Sequence, residues 1–109
     1  MKLLYIAGKY RAYRSDGNYD ISTMFERTMD MRLVAKKYLE QGYAVIAPLL
    51  NTFLLDSKVI QDGEWLEIDK TLLSKCDAIV LTRGWSGSQG ALAELQYAKE
   101  LGLEIIVDE

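Results

Sequence analysis

Residues 84 to 98 read GWSGSQGALAELQYA, a glycine-rich turn running into a helix, and the one acid in that segment is Glu94. At about 100° per residue, Ala91, Leu95, Ala98, Leu101 and Gly102 share the arc that should face a sheet. Glu94 falls inside the arc, between Ala98 and Leu101, whereas Lys99 and Glu100 fall outside it. A carboxylate on a buried helix face is costly unless it is paired or put to chemical use. The small neighbours Gly90, Ala91 and Ala93 leave room beside it for a ligand. The plainer alternatives are an ion pair with a lysine or arginine of a neighbouring element, or a rotated helix.

Other side chains could act with this acid, and each also has an ordinary structural reading. Tyr5 is a hydroxyl on the first strand or simply a β-former. Asp69 is a second acid or a solvated helix residue beside Glu67 and Lys70. Lys9, Arg11 and Arg14 could hold a monophosphate, or be solvated. Trp65 and Trp85 could stack on a flat ring or pack. Ser86 or Ser88 can cap the helix that follows, with Gln89 completing a capping box from Ser86, and the glycine-rich turn offers N–H groups to an anion. Cys76 precedes a strand at the far edge of the sheet and reads as inert, and Asp77 lies at that edge too.

Four short apolar runs must carry these groups: LLYIA (3 to 7), YAVIA (43 to 47), DAIVLT (77 to 82) and LEIIVD (103 to 108). Each reads as a strand covered on both faces. Met24, Thr28, Met31, Ala35, Tyr38 and Leu39 recur at helical spacing before Gly42, a C-terminal stop. Residues 62 to 75, with Trp65, Leu66, Ile68, Leu72 and Leu73, read as a second helix, and residues 88 to about 101, closed by Gly102, as a third. Strand and helix alternate throughout, which implies right-handed crossovers and a single-domain, three-layer flavodoxin/Rossmann-like fold around a four-stranded parallel sheet. In such sheets ligands bind beyond the carboxyl ends of the strands, where strand order reverses. The segments GKYRAYRSDGNYD, PLLNTFLLDSKVIQDGE and TRGWSGSQG, after Ala7, Ala47 and Leu81, are therefore expected to wall one pocket.

Composition narrows the classes of function. The 109 residues are half apolar, enough for one domain that buries roughly 60 to 70% of its unfolded surface. One cysteine and no histidine leave no disulfide and none of the usual zinc spacings, so no metal site and no cofactor are expected. A net charge of −3 with both signs interspersed argues against long nucleic acid, and no run approaches the length of a membrane span. A cytoplasmic protein with a small-molecule ligand is the expectation.

YIAG in the first strand, an aspartate in the second helix and SxGxxxE at the start of the last helix resemble the nucleoside 2-deoxyribosyltransferase superfamily. The likeness includes its 2'-deoxynucleoside 5'-phosphate N-hydrolases. Short bacterial and phage domains of that superfamily with YIAGPYR early and GWxxSxGAxxE late look more similar still. The resemblance runs along nearly the whole chain in order and spacing. It implies that Glu94 is the nucleophile at C1' of a deoxyribonucleoside, that Tyr5 orients its carboxylate, and that Asp69 holds the sugar hydroxyls. It also implies that Ser88 lies next to the sugar or its 5' phosphate, that Gly8 and Gly90 let backbone approach the ligand, and that Arg11 belongs to the phosphate-facing wall. Trp85 joins them as a candidate for the base.

Cleavage of an N-glycosidic bond passes through an oxocarbenium-like state, which a carboxylate near C1' stabilises before forming an ester that water resolves. Against the family pattern, Lys9 stands where relatives carry proline, and TRGWSGSQG lacks the further acids that precede the transferase nucleophile, leaving no evident donor for the leaving base. The chain also lacks the C-terminal extension that completes a neighbouring subunit's pocket in the transferases. Hydrolysis of 2'-deoxynucleosides or their 5'-monophosphates is thus expected over transfer, with a homodimer through the first and second helices. The other expectations are a non-catalytic nucleotide-binding or sensing domain, and a phosphoribohydrolase acting on ribonucleoside monophosphates.

Overall fold

The computed structural model describes residues 1–55 and 62–108. In chain order it contains β1 (Leu3–Ala7), α1 (Ile21–Glu40), β2 (Ala44–Ile46), α2 (Pro48–Leu55), α3 (Asp62–Leu73), β3 (Ala78–Thr82), a 3₁₀ turn (Trp85–Gly87), α4 (Gln89–Leu101) and β4 (Glu104–Asp108). All strand pairs are parallel, in the order β2-β1-β3-β4. β1 and β3 are the inner strands, and their apolar runs are buried on both faces.

The alternation of side chains along β1 splits the core in two. Tyr5 and Ala7 point to the side where Leu73, Cys76, Leu95 and Ala98 pack, under α3 and α4. Leu4 and Ile6 point to the other side, against Met31, Ala35 and Tyr38 of α1. This is the expected three-layer arrangement around a four-stranded parallel sheet. The chain leaves β1 toward β2 on one flank and returns to β3 on the other, so strand order reverses between β1 and β3. Their carboxyl ends, at Ala7 and Thr82, open the crevice where ligands bind in such sheets.

Several details differ from the sequence reading. Residues 48–55, read there as loop, form α2: Pro48 suits the first helical position, where no N–H is needed, and an eight-residue apolar helix is too short to show a period against its loop-like flanks. The rest of that expected loop, 56 to 61, lies outside the described residues. α3 stops at Leu73 instead of residue 75, because Lys75 and Cys76 donate to Leu72 and Leu73 in a tighter closing turn. Leu39 of α1 and Leu101 of α4, both placed on buried arcs, are exposed, while Tyr38 and Ala98 in the same last turns are the residues that face the core. Ser88 caps α4 by accepting from the Ala91 N–H at 3.1 Å, so no capping box starts at Ser86, which sits within the 3₁₀ turn.

Candidate functional site

β1 carries Tyr5 with its side chain under α4, and α4 turns Glu94 toward β1. Both side chains are buried, and the Tyr5 hydroxyl donates to Glu94 Oε2. Asp69, from the buried side of α3, is the second buried acid in the same region. The expected position of Glu94 on the sheet-facing arc of its helix holds, and it is shielded by the core face without any lysine or arginine partner among the described residues.

A cavity of about 480 Å³ opens over these groups. Its floor has Glu94 and Asp69, the only acids among its described lining residues. One wall is the segment after β1, with Gly8, Lys9, Tyr10, Arg11 and Tyr13; a second is the start of α4, with Gly87, Ser88, Gln89 and Gly90. α2 and α3 close the third side with Leu49, Thr52, Trp65 and Leu66. Of the residues expected at the site, Glu94, Asp69, Gly8, Arg11, Ser88 and Gly90 therefore line one cavity, and Tyr5 lies directly behind Glu94. Trp85 does not line it: the indole packs against the core on the α4 side, and its Nε1 is buried without an acceptor among the described residues. Cys76 is buried in that core and Asp77 Oδ2 accepts from the Leu3 N–H at 2.8 Å, both at the amino end of the sheet away from the cavity.

Burial dominates the electrostatics. It pushes the Glu94 carboxyl up to about 8; the Tyr5 hydrogen bond favours the anion and opposes this, while the nearby charge of Asp69 adds to it. Burial also moves Asp69 up to about 6. The Tyr5 phenol is driven far above its ordinary value by burial and by the two carboxylates, so it stays a neutral donor at any working pH. Two acids in one basin with separated titrations are the arrangement that lets one act as base or nucleophile and the other as acid.

The cationic wall is rigid. Arg27 of α1 donates to the carbonyl oxygens of Arg11 at 2.7 Å and Tyr10 at 3.4 Å. Beyond them the chain makes a short tongue: Tyr13 and Tyr19 form an antiparallel bridge, Arg14 N–H donates to the Asn18 carbonyl at 2.8 Å, and the Arg14 side chain pairs with Asp16. Arg14 is thus occupied within the tongue, away from the role of phosphate ligand considered from sequence. Lys9 lies across the 3₁₀ turn, its Nζ 3.5 Å from where a Cβ on Gly87 would stand. It has no carboxylate partner among the described residues.

Two glycines behave differently. A Cβ on Gly8 would lie 2.0 Å from Thr82 Oγ1 and 2.8 Å from Met31 Cε, so close packing at the crevice demands glycine. A Cβ on Gly90 would meet only Ser88 Oγ, at 3.9 Å, so packing within the chain does not. The first N–H groups of α4, at Gln89 and Gly90, have no intrahelical acceptor and belong to residues that line the cavity.

Tyr10, Tyr13, Leu49 and Thr52 lie in segments expected to wall the pocket but are not singled out by the sequence, and Leu66 reads there only as an apolar helix residue. The tyrosines lay in a quoted loop segment but carried no spacing signal, and the others belong to helices whose cavity side is set by packing. Among the described residues, no three His, Cys, Asp or Glu side chains cluster as metal ligands, and no helix is long and apolar enough to cross a membrane. No curated protein matches the chain. A family model described as a domain of unknown function, DUF4406, matches residues 2–107, and the chain belongs to that family.

Proposed function

We propose that this protein cleaves the N-glycosidic bond of 2'-deoxynucleosides or their 5'-monophosphates, with Glu94 as the nucleophile. The observation that carries the reading is a buried glutamate at the floor of an open cavity, paired with a tyrosine hydroxyl and, among the described residues, not with a cation. A purely structural acid in such a place would be expected to keep a lysine or arginine.

The cavity is of the size that encloses a nucleotide-sized ligand. Its chemistry is divided, with acids below and Lys9, Arg11 and the amino end of α4 above. A sugar seated over Glu94 places developing positive charge at C1' against the carboxylate, and Tyr5 holds one oxygen so that the other faces the sugar. The reactive state needs Glu94 ionised. With Glu94 lifted to about 8 and Asp69 to about 6, the pair shares one proton between those values. With that proton on Asp69, Glu94 is the ionised nucleophile and Asp69 is the acid the segment before α4 lacked, able to protonate the leaving base or hold the sugar hydroxyls. Glycine at position 90, which packing does not require, fits a place where ligand approaches backbone. Water resolves the glycosyl ester, giving hydrolysis.

The test is to incubate the protein with deoxynucleosides, deoxynucleoside monophosphates and ribonucleoside monophosphates, and to follow free base by chromatography. Base is expected from the deoxy substrates and not from the Glu94→Gln variant. Equal release by that variant would remove Glu94 from the chemistry. Release from ribonucleotides alone would favour phosphoribohydrolase action. Binding of a monophosphate without turnover, seen as a raised melting temperature, would favour a sensing domain.

A further inference from the structure

The tongue after β1 holds an aromatic column built around Arg11 of the cationic wall, and the site chemistry leaves its tyrosines unused. The Arg11 guanidinium lies over the Tyr10 ring at 5.1 Å and over the Tyr19 ring at 4.9 Å. The Tyr19 ring is tilted against that of Tyr13, with centroids 5.4 Å apart and planes at 36°. Tyr10 is buried, so the column is anchored at its inner end. At its outer end Tyr13 lines the cavity and yet is 60% exposed. One side of its ring is occupied by Tyr19, so the exposure belongs to the remainder of the ring.

Leaving a large flat ring in water at a cavity mouth has no packing benefit. Here the backbone also goes to some length to hold it there. The Tyr13–Tyr19 bridge, the Asp20 N–H donated to the Ala12 carbonyl at 2.8 Å, the left-handed Gly17 and the Arg27 bonds to the loop carbonyls fix the tongue from several sides. A rigid aromatic presented this way loses little conformational freedom on stacking with a planar ligand. The other side of the cavity, with Leu49, Trp65 and Leu66 beside the single hydroxyl of Thr52, is mainly apolar, as suits the faces of a heterocycle more than those of a sugar phosphate.

We infer that Tyr13 is the base-binding residue of this site, and that the nucleobase of the ligand is the next ring in the Arg11–Tyr19–Tyr13 column. The inference rests on the nucleoside reading of the site, and it adds that recognition of the base is made by stacking on the tongue. Stacking accepts any base, since every base has a π face. The residue therefore separates ligands that carry a base from ligands that carry only sugar and phosphate.

The test measures affinity by calorimetry in the Glu94→Gln background, so that no turnover interferes. The probes are 2'-deoxyadenosine 5'-monophosphate, 2'-deoxycytidine 5'-monophosphate and 2-deoxyribose 5-phosphate. Tyr13→Ala is expected to weaken both nucleotides about tenfold and to leave the sugar phosphate within about twofold. Tyr13→Phe should keep wild-type affinity, which controls for damage to the tongue. Equal weakening of all three probes by Tyr13→Ala, or no weakening of any, overturns the inference. Nucleotide affinity that depends on Tyr13 in a protein that frees no base would sink the hydrolase reading alone. Base release by wild-type protein, with nucleotide affinity indifferent to Tyr13, would sink the stacking inference alone. If neither nucleotide binds, both fail.

Discussion

The pair Tyr5–Glu94 is the smallest unit that explains the site. A carboxyl whose titration is lifted to about 8 by burial, near one lifted to about 6, gives a basin that carries a single proton between those values. Turnover by an ionised Glu94 and a protonated Asp69 uses the less populated arrangement of that singly protonated pair, because Glu94 holds the proton more tightly. The expected kcat/KM profile is therefore a bell with limbs near pH 6 and 8 and a maximum near 7, read from initial rates of base release. Tyr5→Phe removes the one hydrogen bond that favours the Glu94 anion. Its alkaline-side limb should move to higher pH and its plateau kcat should fall by roughly 10- to 100-fold. An unchanged profile would mean that the phenol does not govern the carboxyl. Glu94 was legible in the sequence because a charge on an apolar arc is a local contradiction. Asp69 was reached only through the resemblance, since Glu67 and Lys70 beside it made the helix look solvated, and packing decides which side of α3 is covered.

At the scale of elements, β1 delivers both the tyrosine and, one residue past its end, the glycine that lets the crevice close. Gly8→Ala should lower stability by about 1 to 3 kcal/mol and greatly reduce turnover, because the added methyl meets the Thr82 hydroxyl that donates to the Ala7 carbonyl at 3.0 Å. Removing that oxygen with Thr82→Ala in the same chain should recover part of the loss in thermal melts; absence of recovery would place the fault elsewhere. Ser88 has a capping duty that can be separated from ligand contact. Ser88→Ala should cost about 1 kcal/mol, while Ser88→Asp should keep the cap and repel an anionic ligand. The aspartate variant is thus expected to melt with wild type but to show a raised KM for monophosphates and little change for nucleosides. Strands, the long helix and the capped last helix could be read from periodicity, glycine stops and small polar caps. α2 could not, because a short apolar stretch after proline has no repeat to distinguish helix from loop.

For the molecule as a whole, the acids at the floor of the cavity are a stability cost that depends on pH. Glu94 has a folded value near 8 against an ordinary 4.5, so the folded state holds its proton more tightly than the unfolded chain does. That advantage is complete below about pH 4.5 and is lost as pH rises through 8. Glu94→Gln should therefore melt increasingly above wild type between pH 5 and pH 8, by several degrees at the upper end, in paired scanning measurements. A constant gap would mean that Glu94 is not held in an unfavourable environment. The layer order, the point of strand reversal and hence the mouth of the crevice followed from alternation of apolar runs. The tongue did not, because its shape comes from the Tyr13–Tyr19 bridge and backbone bonds within residues 12 to 20, which carry no periodic signal.

The indole of Trp85, half-buried at the start of the 3₁₀ turn with its N–H out of solvent and without an acceptor among the described residues, gives the protein an internal optical gauge. Trp65 lines the cavity and Trp85 does not, so the two fluorophores report different events. Emission from Trp65 will track occupancy, whereas that from Trp85 will shift when the core on the α4 side opens. Ligand arrival and global melting thereby become distinguishable colours in a single cuvette, with no label attached.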